Sequence, residues 1–462
     1  MKKIITGLFA SALLTGGLLS CNGKLDVQPT DSIDVAQAFN TSSDVQSALV
    51  GAYTGLQDAN AYGGYIQFFT DLLPNAPLAD YQFTGTFIEP QEIQRKNIQK
   101  DNITVAGIWL RGYSTVNRVN NVLANIGKLD TPTKQATGEG EARFIRALVY
   151  FDLVRLYARD YNDGTPATNP GVPLVLTPTL SISASNNVPR NTVAEVYTQV
   201  IADLTAAESK LPAANGFFAN KSAAAALLAR VYLQQDRFAD AAQAADRVIS
   251  TGTFRLTANY ADNFVSAGGG LVGNSVEDIF AVQLSAQSGI NQLNTFYSRL
   301  RRGDIKVKNP FLSQYEAGDD RRLLYNSASN TGTASVLSTK FDAQYGNVKL
   351  FRLAEMYLIR AEANLRAGTT TGATPLADIN RIRVRAKLAP LATVVLADIL
   401  KERRLELAFE GFRLHDLKRN QESTIDPVTL APIAWNAPRL VLPIPLREIN
   451  ANPMLTQNEG YN

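Results

Sequence analysis

The chain has 462 residues, 45% hydrophobic and 19% charged, which suits a folded body large enough to bury an extensive core and excludes a disordered chain. The formal charge is +3, and once Lys2 and Lys3 are set aside with the leader described next, 43 basic side chains face 42 acidic ones, so no bulk field favours nucleic acid. One cysteine, Cys21, and one histidine, His415, exclude an internal disulfide and a Cys/His zinc site, while a carboxylate-only site such as one for calcium stays compatible with the composition.

Met1-Lys2-Lys3 is a short positive leader, and Ile4 to Leu19 is an uncharged apolar run of 16 residues. That is shorter than the ~20 residues a membrane-spanning helix needs, and residues 1–20 read as a secretory signal peptide. The run closes on Leu18-Leu19-Ser20-Cys21, which resembles a lipobox: a leucine three before the cysteine, a small residue just before it, then the thiol that takes lipid. One acyl chain gives marginal membrane binding, roughly 10⁴ M⁻¹, whereas two hold stably. A diacylglyceryl group on Cys21 therefore predicts a mature chain held to a membrane by its lipid anchor alone, since no later apolar stretch approaches spanning length.

The mature chain, 21–462, reads as one body. After Ser43, Val45, Ala48, Leu49, Ala52, Tyr53 and Leu56 recur at three and four, the mark of a helix with one buried face. Ile108, Trp109, Tyr113, Val116, Asn120 and Leu123 predict a second helix, and Phe144, Leu148, Phe151 and Leu156 a third from about Glu139 to Arg159. Thr192 offers an N-cap for a helix to about Leu211, stopped by Pro212. Residues 222–235 and 239–250 predict a helical hairpin with small residues at its seam, and 351–367 with 376–389 a second; both resemble tetratricopeptide units. Between the two hairpins, about 251–350 carries few helical stripes, a strand at 278–284 and Gly268-Gly269-Gly270, which reads as a flexible loop; 59–101 is similarly irregular and rich in aromatics. The helix from about Ile399 reads as largely buried and continuous through His415, with Glu402, Glu406, Glu410 and Arg413 on one face. Like charges at that spacing need cations opposite, and Arg381, Arg383 and Arg385 are the candidates for a structural ion-pair network. His415 reads as a packed, hydrogen-bonded side chain.

The C-terminal region, about 351–462, is the most specific. Phe351-Arg352-Leu353-Ala354-Glu355-Met356-Tyr357-Leu358-Ile359-Arg360-Ala361-Glu362-Ala363 is followed by Ile379-Asn380-Arg381-Ile382-Arg383, then by Glu402-Arg403-Arg404-Leu405-Glu406-Leu407-Ala408-Phe409-Glu410-Gly411-Phe412-Arg413 with Asp416-Leu417-Lys418-Arg419. The chain closes through Leu442-Pro443-Ile444-Pro445, Glu448-Ile449 and Asn452-Pro453 to Gly460-Tyr461, and Leu25-Asp26-Val27-Gln28-Pro29 follows the cysteine. In kind and order these motifs resemble the SusD/RagB family of nutrient-binding outer-membrane lipoproteins. The resemblance implies a mainly α fold: a superhelix of four tetratricopeptide-like helical pairs, a few short strands and an irregular, loop-rich ligand-binding region. It further implies lipid-anchored placement on the outer membrane, facing the exterior, and a SusC-like TonB-dependent β-barrel as partner. The implied ligand is a glycan or, in RagB-like branches, a peptide.

Sugar rings stack their apolar faces on aromatics while polar groups take the hydroxyls, so the aromatic-rich irregular regions supply the candidate ligand residues: Tyr62, Tyr65, Asp80, Tyr81, Tyr297 and Arg299. Only two tryptophans occur, Trp109 and Trp435, a departure from many glycan-binding members that suits a smaller or less sugar-like ligand. No phosphate-loop or other cofactor motif appears, and the expectation is a binding protein rather than an enzyme. A protein-binding scaffold and a surface hydrolase with two opposed carboxylates are the other readings.

Overall fold

The computed structural model describes residues 38–461 except 77, 79, 182, 267–268 and 329–334. Cys21, the leader and the Leu25–Pro29 motif lie outside the described residues. The long helices begin where short polar side chains satisfy the first free amides. Thr41 and Asp44 form a capping box for α1 (Ser42–Gln57). The chain then makes α2 (Tyr65–Leu72), β1 (Tyr81–Phe83) and α3 (Ile88–Arg95) before α4 (Ile103–Ala124), capped by Asn102. Thr131 caps α5 (Pro132–Tyr157), and Thr192 with Glu195 forms the capping box of α6 (Val193–Lys210). Asn220 caps α7 (Lys221–Gln234), which turns through Asp236 at φ 57° into α8 (Phe238–Ile249).

Four helical pairs stack in order: α1 on α4, α5 on α6, α7 on α8, and α11 (Leu353–Ala367) on α12 (Pro375–Arg385). Neighbouring pairs join through α4 on α5, α6 on α7 and α8 on α11. The seam between α7 and α8 is built from buried Ala223–Ala226, Ala229, Ala241, Ala242, Ala244 and Ala245, whose small side chains let the helices approach closely. This is the predicted tetratricopeptide-like superhelix. Among the described residues no helix is long and apolar enough to cross a membrane.

The irregular stretch between α8 and α11 holds β2 (Val265–Ser266), β3 (Gly269–Gly270), β4 (Asp278–Val282), α9 (Gln292–Tyr297), β5 (Ile305–Val307), α10 (Asn309–Leu312), β6 (Tyr325–Ala328), β7 (Ser335–Ser338) and β8 (Val348–Arg352). Strands β1, β5, β7 and β6 form one antiparallel sheet in that order, and β4 pairs with β8. Gly269 and Gly270 pair with Ser266 and Val265, so the glycine run ends in a short ladder rather than a free loop.

Three expectations change. Residues 59–101 contain two helices of eight residues each, α2 and α3. Helix α2 buries Ile66 through Leu72, its polar Gln67, Thr70 and Asp71 together with its apolar side chains, so none of its faces turns to solvent. Phe351 and Arg352 belong to β8, held in register with Phe280 and Asp278 of β4, and the helix starts only at Leu353. Finally, α13 (Leu396–Glu406) stops before Phe409 at φ 65° and Gly411 at φ 87°, and His415 lies in a separate helix, α14 (Arg413–Arg419). The break serves Asp71: Gly411 N donates to its Oδ2 at 2.8 Å and Arg413 N to its Oδ1 at 3.2 Å. The strands β9 (Thr424–Ile425) and β10 (Pro432–Ile433) and the short α15 (Leu446–Ala451) complete the chain.

The expected ion-pair network is present with partly different members. Glu402 meets Arg383 and Arg321, each at 2.8 Å. Glu406 meets Arg385 and, at 3.2 Å, Arg352. Glu410, beyond the helix end, accepts from Arg352 at 2.8 Å and Lys340 at 2.6 Å. Glu277, in the turn just before β4, accepts from Arg352 at 2.9 Å and Arg385 at 2.7 Å. Arg381 instead lies over the Tyr357 ring, and Arg413 pairs with Glu422. His415 is buried and packed; burial, then the positive charge of Arg155, Lys418, Arg230 and Arg403, holds it neutral, and its ring makes no protein hydrogen bond among the described residues.

Candidate functional site

Two segments more than 200 residues apart meet to form one loop-rich face. Tyr81 pairs with Val307 and Phe83 with Ile305 across β1 and β5, and Thr84 N donates to Asp304 O at 2.8 Å. Beneath them Phe68 of α2 stacks on Phe296 of α9, centroids 4.2 Å apart and planes within 7°. Gly85 fits because a Cβ there would come within 2.7 Å of the Asp304 carboxyl. The β9–β10 hairpin supplies a second wall, its turn fixed by Asp426, which accepts from Val428 N at 2.9 Å and Thr429 N at 3.0 Å. These bonds, then Arg439, hold the Asp426 carboxyl at about 2.

Between the walls runs a groove of about 610 Å³, lined by Leu78, Gln82, Thr84, Gln91, Gln94, Arg95, Val428 and Leu430 among others. Its amides also brace the loop. Gln94 accepts from Phe83 N at 2.5 Å and donates to Phe83 O at 3.2 Å, Gln91 donates to Gly85 O at 2.9 Å, and Lys308 donates to Gln82 Oε1 at 2.8 Å. That leaves the Gln82 amide N–H groups and the Gln91 carbonyl turned to no protein partner among the described residues. Leu78, Val428 and Leu430 are exposed, so the groove offers apolar walls with interspersed amide groups and one guanidinium.

Beside the groove, on the same loop, Phe87 is 43% exposed. Its ring meets Phe296 edge-on at 6.3 Å, and the Arg302 guanidinium lies 4.4 Å from its centroid while donating to Asp304 at 2.7 Å. Tyr65 is half-buried against the same Phe296 at 5.8 Å; burial, then Glu89, raises its hydroxyl pKa. An exposed aromatic braced from below and flanked by arginine is suited to stacking on a flat ligand, and the adjacent amides to its hydroxyls.

A family described as "Starch-binding associating with outer membrane" matches residues 25–233, and the SusD family matches residues 321–461. The chain belongs to the SusD/RagB family. A SusD-like protein of Formosa agariphila is 27% identical across 98% of this chain and 99% of its own length. The starch-binding protein SusD of Bacteroides thetaiotaomicron is 32% identical over 31% of each chain. A crystal structure of a putative sugar-binding protein from Bacteroides vulgatus superposes with a TM-score of 0.80 at 26% identity, covering 92% of this chain and all of that one.

In this SusD/RagB member the six candidate ligand residues separate. Tyr65 packs on Phe296, the ring that also meets Phe87, and Arg299, exposed and paired with Asp342 at 3.4 Å, begins the turn that carries Arg302. Tyr62 and Tyr297 are core residues rather than ligand contacts. Tyr62 is 2% exposed and donates to Asp152 at 2.7 Å, while Tyr297 is fully buried against Phe68, Phe341 and Phe409. Asp80 is buried in an ion pair with Arg404, and Tyr81 packs on Phe409 at 5.0 Å; both line a different cavity from the groove. Sequence reading missed Arg302, Gln91, Gln94, Val428 and Leu430. Their only signal was membership of irregular stretches, since the groove is assembled from three distant segments.

Proposed function

We propose that this chain is a surface lipoprotein, anchored through Cys21, that binds a glycan in the groove and on the Phe87–Arg302 platform and passes it unaltered to a SusC-like TonB-dependent transporter. The observation that carries the reading is the convergence of the two irregular segments into one face with an exposed, arginine-flanked aromatic beside a groove of apolar walls and amides. Apolar sugar faces and their hydroxyls call for that combination. The starch-binding description of the matched family and the starch-binding name of a relative support a carbohydrate ligand. The lipobox-like Leu18–Cys21 segment supports the anchor, and family membership the outer-membrane setting and the transporter partner.

The test is calorimetric titration of the body, residues 22–462, with starch oligosaccharides and a wider glycan and peptide panel, followed by product analysis. Saturable glycan binding with the ligand recovered intact is the expected result. Preference for peptides would move the chain to a RagB-like role, and turnover would overturn the binding-only reading. Gentle solubilisation of outer membranes should co-purify the chain with a large β-barrel.

A further inference from the structure

The groove between β1 and the β9–β10 hairpin carries charge of one sign. No acid lines it. Its guanidinium, Arg95, is exposed and has no hydrogen-bond or ion-pair partner among the described residues. Arg95 shares one face of α3 with Gln91 and Gln94, which stand four residues and one residue before it, and all three line the groove. Glu92 is engaged elsewhere: it accepts from Asn102 Nδ2 at 2.7 Å and Gln99 N at 3.2 Å.

Two further cations stand beside the groove wall. Gln82, which lines the groove, pairs with Lys306 of β5, and residues paired across an antiparallel ladder share a sheet face. Lys308, two residues on, shares that face and donates to Gln82 Oε1 at 2.8 Å. Neither ammonium is in an ion pair among the described residues. Burial lowers the Lys306 pKa, and Asp304 offsets that only in part. The acids of the surrounding loops are already matched. Asp304 holds Arg302 at 2.7 Å, and Asp426 accepts two turn amides and Arg439. Glu89 is in no ion pair among the described residues, and its charge acts on Tyr65, which packs on Phe296 under the Phe87 platform.

We infer that the groove selects an acidic glycan, one whose sugars carry a carboxylate or a sulfate ester, with the anionic group against Arg95 and with Lys306 and Lys308 adding to the positive field. The inference rests on the glycan reading of this face and names the class of sugar. Charges of one sign between low-dielectric walls focus their field in a cleft. An accessible guanidinium without a protein partner gains a charge-assisted bond from an anion, and a weaker one from a hydroxyl or an ester in the same place. Neutral starch offers Arg95 only hydroxyls.

The test is calorimetric titration of the body, residues 22–462, with matched pairs that differ in charge alone. One pair is oligogalacturonate and its methyl ester; the other is a sulfated dextran oligosaccharide and the unsulfated oligosaccharide of the same length. Maltoheptaose serves as the neutral starch probe. In at least one pair the acidic member should bind saturably and about fivefold to tenfold more tightly than its neutral partner, and the pair that shows this tells carboxylate from sulfate. Raising the salt to about 0.5 M should narrow the preference, since exposed charges are then screened. Arg95→Gln should reduce the acidic-to-neutral affinity ratio to about twofold or less, and Arg95→Lys, which keeps the charge, should retain most of it. Both variants should keep the melting temperature, because Arg95 has no protein partner to lose; the salt series on the unaltered chain needs no variant at all. Neutral members binding as tightly as acidic ones in both pairs, maltoheptaose binding tightest of all, or a preference indifferent to salt or to Arg95→Gln would each overturn the inference and leave the glycan reading standing. Preference for peptides over every glycan would overturn the glycan reading itself.

Discussion

At the scale of single residues, the protein's interior is unusual for the charge it holds. Arg352 is fully buried and touches Glu277, Glu406 and Glu410. Burial pushes the Glu406 carboxyl up, but Arg385, Arg352 and Arg321 together outweigh it and hold it at about 2, below its ordinary 4.5. A carboxylate depressed in this way contributes stability that is complete above about pH 4.5 and is lost as pH falls toward 2. Acid titration of unfolding free energy should therefore decline across that window, and Glu406→Gln should flatten the decline. Arg352→Met leaves three acids short of a partner and should cost about 3–5 kcal/mol in urea unfolding, the penalty of uncompensated buried charge. A loss below about 1 kcal/mol, the range of exposed pairs, would show that the network contributes little. The Glu402–Arg383 and Glu406–Arg385 pairs were legible because acids one helical turn apart call for cations opposite them, and the preceding helix offers Arg383 and Arg385. Glu277, Arg321 and Lys340 were not, because they reach the network from turns and a single 3-10 turn far away in the chain, where no period announces a direction.

At the scale of elements, helices with a polar face could be read closely, and helices or strands buried all round could not. The capping box at Thr192 and Glu195 and the stop before Pro212 put α6 within a residue of its expected bounds. Helix α2, eight residues long and buried on every side, is too short for its period to stand out, and three-residue strands such as β1 and β5 are too short to show alternation. The turn between α13 and α14 is the most consequential element that sequence periodicity concealed, since Leu407 and Leu414 keep helical spacing across a break. Gly411 sits there at φ 87°, and a Cβ would lie 2.8 Å from Gln67 Cα of α2. Gly411→Ala should therefore destabilise the fold by about 1–3 kcal/mol, the cost of left-handed backbone strain. Denaturant midpoints should fall accordingly; an unchanged midpoint would mean that the turn relaxes and that the Asp71 clamp is dispensable.

At the scale of the whole molecule, the helical pairs form a continuous scaffold and the loops supply the chemistry. The pairs were predictable from the three-and-four spacing of apolar residues, and the irregular regions from its absence. That the two irregular regions would meet was not predictable from composition, because their union rests on one antiparallel pairing, Tyr81 to Val307 and Phe83 to Ile305, and on the Phe68–Phe296 stack. Those contacts put Phe87 at the surface beside the groove while Tyr62 and Tyr297, equally aromatic in sequence, were drawn into the core. Ligand contact should follow exposure on this face and not aromatic content. Calorimetric titration of the preferred glycan against wild type and Phe87→Ala tests this most directly. Affinity should fall about tenfold, the contribution of one aromatic stacking contact, with the melting temperature retained; unchanged affinity in a folded Phe87→Ala variant would contradict the placement of the glycan on this face.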